Sequence, residues 1–421
     1  MMKKILLLFV LIHCVLIFSS VGLKIDFTAS GGDSKSIIED AIDDIVELLP
    51  DGVNLEITLD GSPLTLPVPR VETQTNFSMR FALTYDATSE VYTGAWWENG
   101  STVVSVSFSK KGYGLYRDFI REISSYPLER ASLYLLSKGE FGDFLRVTYH
   151  PGVDEYGSFS SDGTKFAFIT DRSGGNRNIA VLNLKDGSIQ LLPIYGSSEY
   201  FPRFSPDGKR LAFQGSLHGF WNVYSMPLKD HSKNITLISQ GNAPAYSPAW
   251  YNDSMILYVQ DTVEGNALYR ASLSKRREKI EIPGNFQMIF SPTAHATTIY
   301  FVGLKEADFG IYALTPDASV VSVENSFYNE HDPVVSFDGR YLAYSCNETG
   351  FYSIWIKDLQ TGEKKCITSS IPYDAFYPAF SADGSVVSFA VYQEGSEPDI
   401  WFARFTPPAG SDSRSQSYPQ E

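Results

Sequence analysis

Tyr200 to Leu228 reads YFPRFSPDGKRLAFQGSLHGFWNVYSMPL, and this stretch decides the fold. The alternating run Phe201-Pro202-Arg203-Phe204 stops at Ser205-Pro206-Asp207-Gly208. There proline presets a turn's φ and glycine takes the left-handed position that a tight hairpin needs. A second run, Arg210-Leu211-Ala212-Phe213, leads through a glycine-containing loop to a third, Trp221-Asn222-Val223-Tyr224. Short aromatic and β-branched runs punctuated by turn residues read as an antiparallel meander.

The phrase recurs. It returns as Phe159-Ser160-Ser161-Asp162-Gly163, Trp250-Tyr251-Asn252-Asp253, Ser336-Phe337-Asp338-Gly339 and Phe380-Ser381-Ala382-Asp383-Gly384. The turn aspartates 162, 207, 253, 338 and 383 are spaced 45, 46, 85 and 45 residues apart. The double gap holds a degenerate copy, Phe290-Ser291-Pro292-Thr293-Ala294, followed by the run Thr298-Ile299-Tyr300-Phe301. Six copies at a period of about 40–50 residues, each with four short strands, predict a six-bladed β-propeller.

Length and composition bound what else the chain holds. With 421 residues, two or three domains are expected. The 14% aromatic content is high and suits stacked sheets. A net charge of −15 makes the chain a poor candidate for binding nucleic acid or an anionic membrane surface. Residues 1–22 read as a signal peptide: Lys3 and Lys4 precede the apolar run Ile5–Phe18, and Ser20-Val21-Gly22 offers small residues for cleavage near Gly22. That run is shorter than the roughly 20 residues that span a bilayer, so a soluble, exported, monomeric protein without membrane insertion is expected. Cys346 and Cys366 fall on the second and fourth strands of one blade. Strands two apart lie about 9–10 Å from each other, which favours free thiols over a disulfide.

Residues 23–142 do not repeat and read as a small α/β domain. Lys24-Ile25-Asp26-Phe27 alternates as a strand, and Ser36 with Glu39 fits a capping box. Ile37, Ile38, Ala41, Ile42, Ile45 and Val46 then share one helical face. Alternating runs follow at Asn54–Asp60, Phe77–Thr84 and Thr102–Phe108. A helix is expected near Tyr116–Ser125, with a strand at Ala131–Leu136 after it. The propeller is assigned to 143–406. Its last copy stops after a third strand, Ile400-Trp401-Phe402-Ala403, while an orphan with fourth-strand character, Phe144–Thr148, precedes the first copy. Pairing these two would close the ring and remove its open edges. The Ser/Pro/Gly-rich tail, 407–421, reads as disordered.

Chemistry is sparse. No G-x-S-x-G, Walker-type loop, H-E-x-x-H or C-x-x-C occurs, and the histidines show no metal-ligand spacing. The repeated Asp-Gly pairs are better explained by turn geometry than by carboxylate chemistry. The expected site is therefore neither catalytic nor metal-binding and needs no cofactor. It is a binding surface where the loops before each first strand converge, with Glu199, Tyr200, Asn242, Ala243, Pro244, Phe286, His331, Asp332, Asp374 and Phe376 as its candidates. Aromatics interleaved with acids and amides are the mixture with which proteins anchor partners.

The F-S-P-D-G-K-R-L-A-F phrase, a D-R-x-G-G-type loop at Asp171–Gly175 and the strand Asn178–Leu184 resemble the propeller repeats of the TolB family. The order of signal, small α/β domain and six repeats resembles that family too. The likeness covers roughly 116–405 and departs at Leu128-Glu129-Arg130, where the family has Phe-Arg-Thr-Arg. It implies a periplasmic scaffold of the Tol–Pal envelope system and no enzyme. The family's Pal-binding loops map onto Asn242-Ala243-Pro244 and Glu199-Tyr200. Its TolA-binding N-terminus maps onto Leu23, Lys24, Ile25, Asp26 and Phe27. Some members also hold a calcium ion in the channel. An exported hydrolase or lyase and a carbohydrate-binding propeller are the alternatives; similar repeats occur beside serine-peptidase domains, and none follows the repeats here.

Overall fold

The computed structural model describes residues 21–66, 75–109, 116–194, 196–229, 231 and 234–407. They form two compact units, divided between Gly142 and Asp143.

In the first unit, β1 (Val21–Ser30), α1 (Ser34–Glu47), β2 (Val53–Leu59), β3 (Ser62–Pro63), β4 (Thr75–Asp86), β5 (Val91–Glu98), β6 (Ser101–Ser109) and α2 (Tyr116–Lys138) follow in order. The sheet order is β3-β2-β1-β4-β5-β6, with β1 parallel to both its neighbours. Leu23, Ile25 and Phe27 are buried beneath the helices, while Lys24 and Asp26 are partly exposed on the opposite face. The strand expected at Lys24–Phe27 is present, and the N-terminal segment Leu23–Phe27 onto which a TolA contact was mapped lies in the sheet's interior, hydrogen-bonded on both edges. Val21 is 2% exposed, and the Gly22 N–H donates to Asn76 Oδ1 at 2.8 Å, so both residues belong to β1. Residues 1–20, expected as most of a signal peptide, lie outside the described residues, as does the tail beyond Pro407.

Two further expectations are corrected. α1 begins at Ser34 after Asp33, so Ser36 lies inside the helix and makes no capping box. Gly31 and Gly32, both at positive φ, turn the chain a residue pair earlier than the motif suggested. The strand expected at Ala131–Leu136 is the second half of α2, which runs unbroken through Pro127. Proline cannot donate to the carbonyl four residues back. That carbonyl belongs to Ile123, and the buried Trp96 indole donates to it at 3.1 Å instead. Leu128, Ala131 and Leu135 then form a buried stripe at helical spacing, which an alternating reading of Ala131, Leu133 and Leu135 mistakes for a strand.

The second unit is a ring of six four-stranded antiparallel blades. Their first, innermost strands are Asp154–Phe159, Glu199–Phe204, Ala245–Asn252, Met288–His295, Glu330–Val335 and Asp374–Phe380. In the sixth blade the fourth strand is β7 (Phe144–Arg146), where Phe144 pairs with Ala403 and Arg146 with Trp401. Arg146 Nη2 reaches Asp399 Oδ2 at 2.7 Å, and the Ile400 N–H donates to Thr148 Oγ1 at 2.9 Å. Apolar clusters fill the seams between blades. Ile169 and Ile179 meet Leu211 and Phe213 between the first two, and Ile354 meets Phe380 and Phe389 between the last two.

The hairpin between the first and second strands repeats one hydrogen-bond set. Ser160, Ser205, Ser336 and Ser381 each donate a hydroxyl to the aspartate two residues on, at 2.5–2.7 Å. Gly163, Gly208, Gly339 and Gly384 follow at φ between 66° and 76°. The Ser160 hydroxyl holds the Asp162 carboxyl down at about 2. These aspartates are committed to turns. Cys346 and Cys366 are both free thiols.

Two outcomes are expected. N-terminal sequencing of the chain purified from its host should begin at or before Val21, and a start beyond Gly22 would contradict the sheet. Trp96→Phe keeps most of the ring but orphans the Ile123 carbonyl, so urea unfolding should show a loss of about 1–3 kcal/mol. An unchanged midpoint would mean that the indole hydrogen bond contributes nothing.

Candidate functional site

Every first strand carries a β-bulge, always at the same place: Tyr156-Gly157, Phe201-Pro202, Ser247-Pro248, Ser291-Pro292, Asp332-Pro333 and Tyr377-Pro378. The leading residue of each pair has positive φ: 58°, 51°, 52°, 41°, 53° and 58° in chain order. Side chains avoid this region, and the cost is of order 1–3 kcal/mol each. Five of the pairs end in proline, which has no N–H for the ladder, so pairing must break there. A strain repeated six times at one structural position marks a constructed feature.

The six bulge residues form a divided collar around the channel. Tyr377, Tyr156 and Phe201 stand on the neighbouring sixth, first and second blades, whereas Ser247, Ser291 and Asp332 stand on the third, fourth and fifth. The aromatic half is self-packed: Tyr156 lies 4.3 Å from Phe201 and 4.1 Å from Tyr377, centroid to centroid. From the collar a cavity of about 360 Å³ runs along the first strands to the hairpin turns, ending at Ser161, Pro206, Ala296 and Phe337.

Two charges face this cavity. Arg203 donates through Nη1 to the carbonyls of Gly157 and Pro202, at 3.1 and 3.2 Å. Asp332 Oδ1 accepts the Ser291 hydroxyl at 3.4 Å. Burial lowers the Arg203 guanidinium to about 10 and raises the Asp332 carboxyl to about 6. Among the described residues, no carboxylate forms an ion pair with Arg203.

On the other side of the collar, aromatic contacts continue outward. Trp221, Tyr200 and Tyr156 are linked at 5.1 and 5.7 Å; beyond Tyr377, the chain of rings is Phe376, Tyr352, His331, Phe309 and Phe290. Tyr200, His331 and Phe376 therefore share one belt. The other candidates separate from it. Asp332 belongs to the channel, and Asp374 Oδ1 accepts the Tyr352 N–H at 2.8 Å. Phe286 packs inside its blade on Phe301 and Tyr312, at 5.4 and 4.8 Å. Asn242 is exposed, Ala243 and Pro244 are half-buried, and the carbonyls of Ala243 and Pro244 tie down Gln260 Nε2 and the Asp261 N–H.

Glu199 does not face solvent: it is 0% exposed. Counting back two residues from the bulge gives Asp154, Glu199 and Glu330 in three blades, all buried. Asp154 has Arg172 at 2.9 Å and Glu330 accepts the Ser326 hydroxyl, whereas no cation pairs with Glu199 among the described residues.

Sequence reasoning missed Arg203, Phe201, Ser247, Ser291 and Tyr377. A signal was present, since each bulge residue with an intact turn lies six positions before the turn aspartate: 156, 201, 247, 332 and 377 before 162, 207, 253, 338 and 383.

Residues 125–293 match the sequence family described as the TolB beta propeller domain. The propeller is TolB-like. Among solved structures, TolB from Acinetobacter baumannii is 12% identical with a TM-score of 0.47, covering 92% of this chain and 94% of that one. A putative TolB from Agrobacterium tumefaciens is 16% identical with a TM-score of 0.48, covering 61% and 91%. An oligogalacturonate lyase from Vibrio parahaemolyticus is 14% identical with a TM-score of 0.45, covering 63% and 94%. No curated protein matches the chain.

The calcium that some TolB-family channels hold does not fit this TolB-like channel. A hard dication takes six to eight oxygens, and here it would meet one carboxylate, Asp332, with the Arg203 guanidinium in the same cavity.

Burial, offset in part by the Ser197 hydroxyl, pushes the Glu199 carboxyl up from 4.5 to about 7. A raised carboxyl stabilises the fold most below its unfolded value. The contribution of Glu199 should therefore fall as pH rises from about 4.5 to about 7, by at most about 3 kcal/mol. In denaturant titrations Glu199→Gln should gain on wild type between pH 5 and pH 8. A pH-independent difference would mean that this carboxyl is not desolvated.

Proposed function

We propose that this chain is an exported, periplasmic scaffold of the Tol–Pal envelope system, docking a peptidoglycan-associated lipoprotein on one face of its propeller. Strands alternate in direction, so the loops before the first strands and the loops between second and third strands lie at the same end of the ring. The observation that carries the reading is the apolar surface exposed there. Phe327 is 98% exposed and Val263 104%, with Met288, Tyr328 and Phe351 exposed beside them. All five belong to the third to fifth blades, whose first-strand ends also carry the belt rings Phe290 and His331. Large apolar side chains held outward above a packed aromatic layer are what a partner needs for anchors.

This face replaces the original surface in part. Glu199 and Phe286 leave it, because one is buried and the other, half-buried, packs onto Phe301 and Tyr312 within its own blade, while Tyr200, Asn242, Ala243, Pro244, His331 and Phe376 remain as its inner edge. A TolA contact through Leu23–Phe27 is not part of the proposal, since that segment is a central strand. Among the described residues, no helix is long and apolar enough to cross a membrane.

The test is co-purification from detergent-solubilised envelopes, comparing wild type with the double variant Phe327→Lys, Ala243→Arg. Phe327 is fully exposed and Ala243 half-buried in a loop with no apolar cluster around it, so circular dichroism should be unchanged. Wild type should recover a peptidoglycan-associated lipoprotein and the variant should not. Recovery by both would move the interface elsewhere, and recovery by neither would remove the partner.

A further inference from the structure

Arg203 is the unusual residue of the cavity. A guanidinium carries five N–H donors, and Arg203 uses only Nη1, on two carbonyls. Its Nε and Nη2 have no protein partner among the described residues. Its backbone is held firmly, because Trp250 Nε1 donates to the Arg203 carbonyl at 2.9 Å. Arg203 is partly exposed into the cavity, where the Asp332 charge acts on it, so its open donors face the cavity space. The hydroxyl of Ser247, on the polar half of the collar, is likewise without a protein partner among the described residues.

We propose that the channel is a binding site for a small hydroxylated monocarboxylate, of the size and shape of a sugar acid, entering from the hairpin-turn end. The ligand carboxylate takes the open Nε and Nη2 donors of Arg203, the paired geometry that makes guanidinium–carboxylate contacts strong. Its hydroxyls meet Ser247, Ser291 and Asp332. Its C–H face lies against Phe201 and Tyr377 on the aromatic half of the collar. The division of the collar into three rings and three polar groups matches a molecule with one apolar face and one hydroxylated edge. Charge selects the class further. With one guanidinium and one carboxylate in the cavity, a monoanion leaves a single net negative charge, whereas a dianion such as phosphate adds repulsion from Asp332. A volume of about 360 Å³ is at the lower end of small-molecule pockets. The site is separate from the apolar docking face, lying on the other side of the Tyr156–Phe201–Tyr377 contacts.

Isothermal titration calorimetry on the full mature chain tests this with D-glucuronate as probe, D-glucose as the matched ring without the carboxylate, and inorganic phosphate as the dianion. Glucuronate should bind at least about tenfold tighter than either control, the worth of a charge-assisted hydrogen bond. Arg203→Gln should remove about tenfold or more of that affinity. Because Arg203 also braces two carbonyls, Ser247→Ala serves as the second variant; its hydroxyl bonds no protein group among the described residues, so folding is preserved and affinity should fall about threefold, toward the lower end for a neutral hydrogen bond. The docking variant Phe327→Lys, Ala243→Arg should bind glucuronate as wild type does, which keeps this site's outcome distinct from that of the partner face. No heat with glucuronate up to roughly 10 mM, weaker than any useful affinity here, would overturn the proposal. So would equal binding of glucose, or folded Arg203→Gln and Ser247→Ala variants that bind as wild type does.

Discussion

The pairing of Phe144–Arg146 with Trp401–Ala403 is the contact on which the rest of the propeller depends. A ring of twisted sheets has no interior until its first and last blades are joined. Here the join uses backbone hydrogen bonds between segments some 250 residues apart, reinforced by Arg146 on Asp399 and Thr148 on the Ile400 N–H. It covers what would be two open strand edges. It also brings Tyr377 of the sixth blade against Tyr156 of the first, so the aromatic half of the collar exists only because the ring is closed.

Within the closed ring, the bulges turn a structural repeat into a site. Each takes a residue out of the ladder at a cost in backbone strain, and five use proline to keep the ladder from reforming. The strain is offset by blade packing, where apolar clusters bury whole second strands such as Phe166–Ile169 and Leu342–Tyr344. What the repeat does not repeat is chemistry. The same position holds three rings, two serines and an aspartate, and Arg203 occurs in one blade only. A sixfold frame carrying rings on one half and polar groups on the other is how a symmetric fold acquires a directional pocket.

The other two unusual devices are also matters of hydrogen-bond accounting. Pro127 survives inside α2 because the Trp96 indole satisfies the carbonyl that proline leaves open. Glu199 is a carboxyl in the place that Ala245 and Ala375 fill in other blades, without the cation that Asp154 has, and its burial makes the fold sensitive to pH.

By itself the sequence determined the six-bladed architecture and the hairpin chemistry, because both are local. A Ser-x-Asp-Gly turn is closed by atoms within five residues, and the 45-residue period is countable without knowing where any blade sits. The alternation of Lys24–Phe27 and the helical stripe from Ile37 to Ile45 were legible for the same reason. Local pattern misled where two periodicities coincide, as at Ala131–Leu136, and where a motif fits at more than one offset, as at Ser36. Tertiary structure alone decided exposure and company. Glu199 and Tyr200 are neighbours in sequence, yet one is sealed in a blade and the other joins the aromatic belt, because successive side chains of a strand point to opposite faces. Leu23–Phe27 is a central strand and not an arm because β2 and β4, distant in sequence, pair with its two edges. The cavity between Arg203 and Asp332 is drawn by six strands at once, so no single stretch of the chain could have announced it.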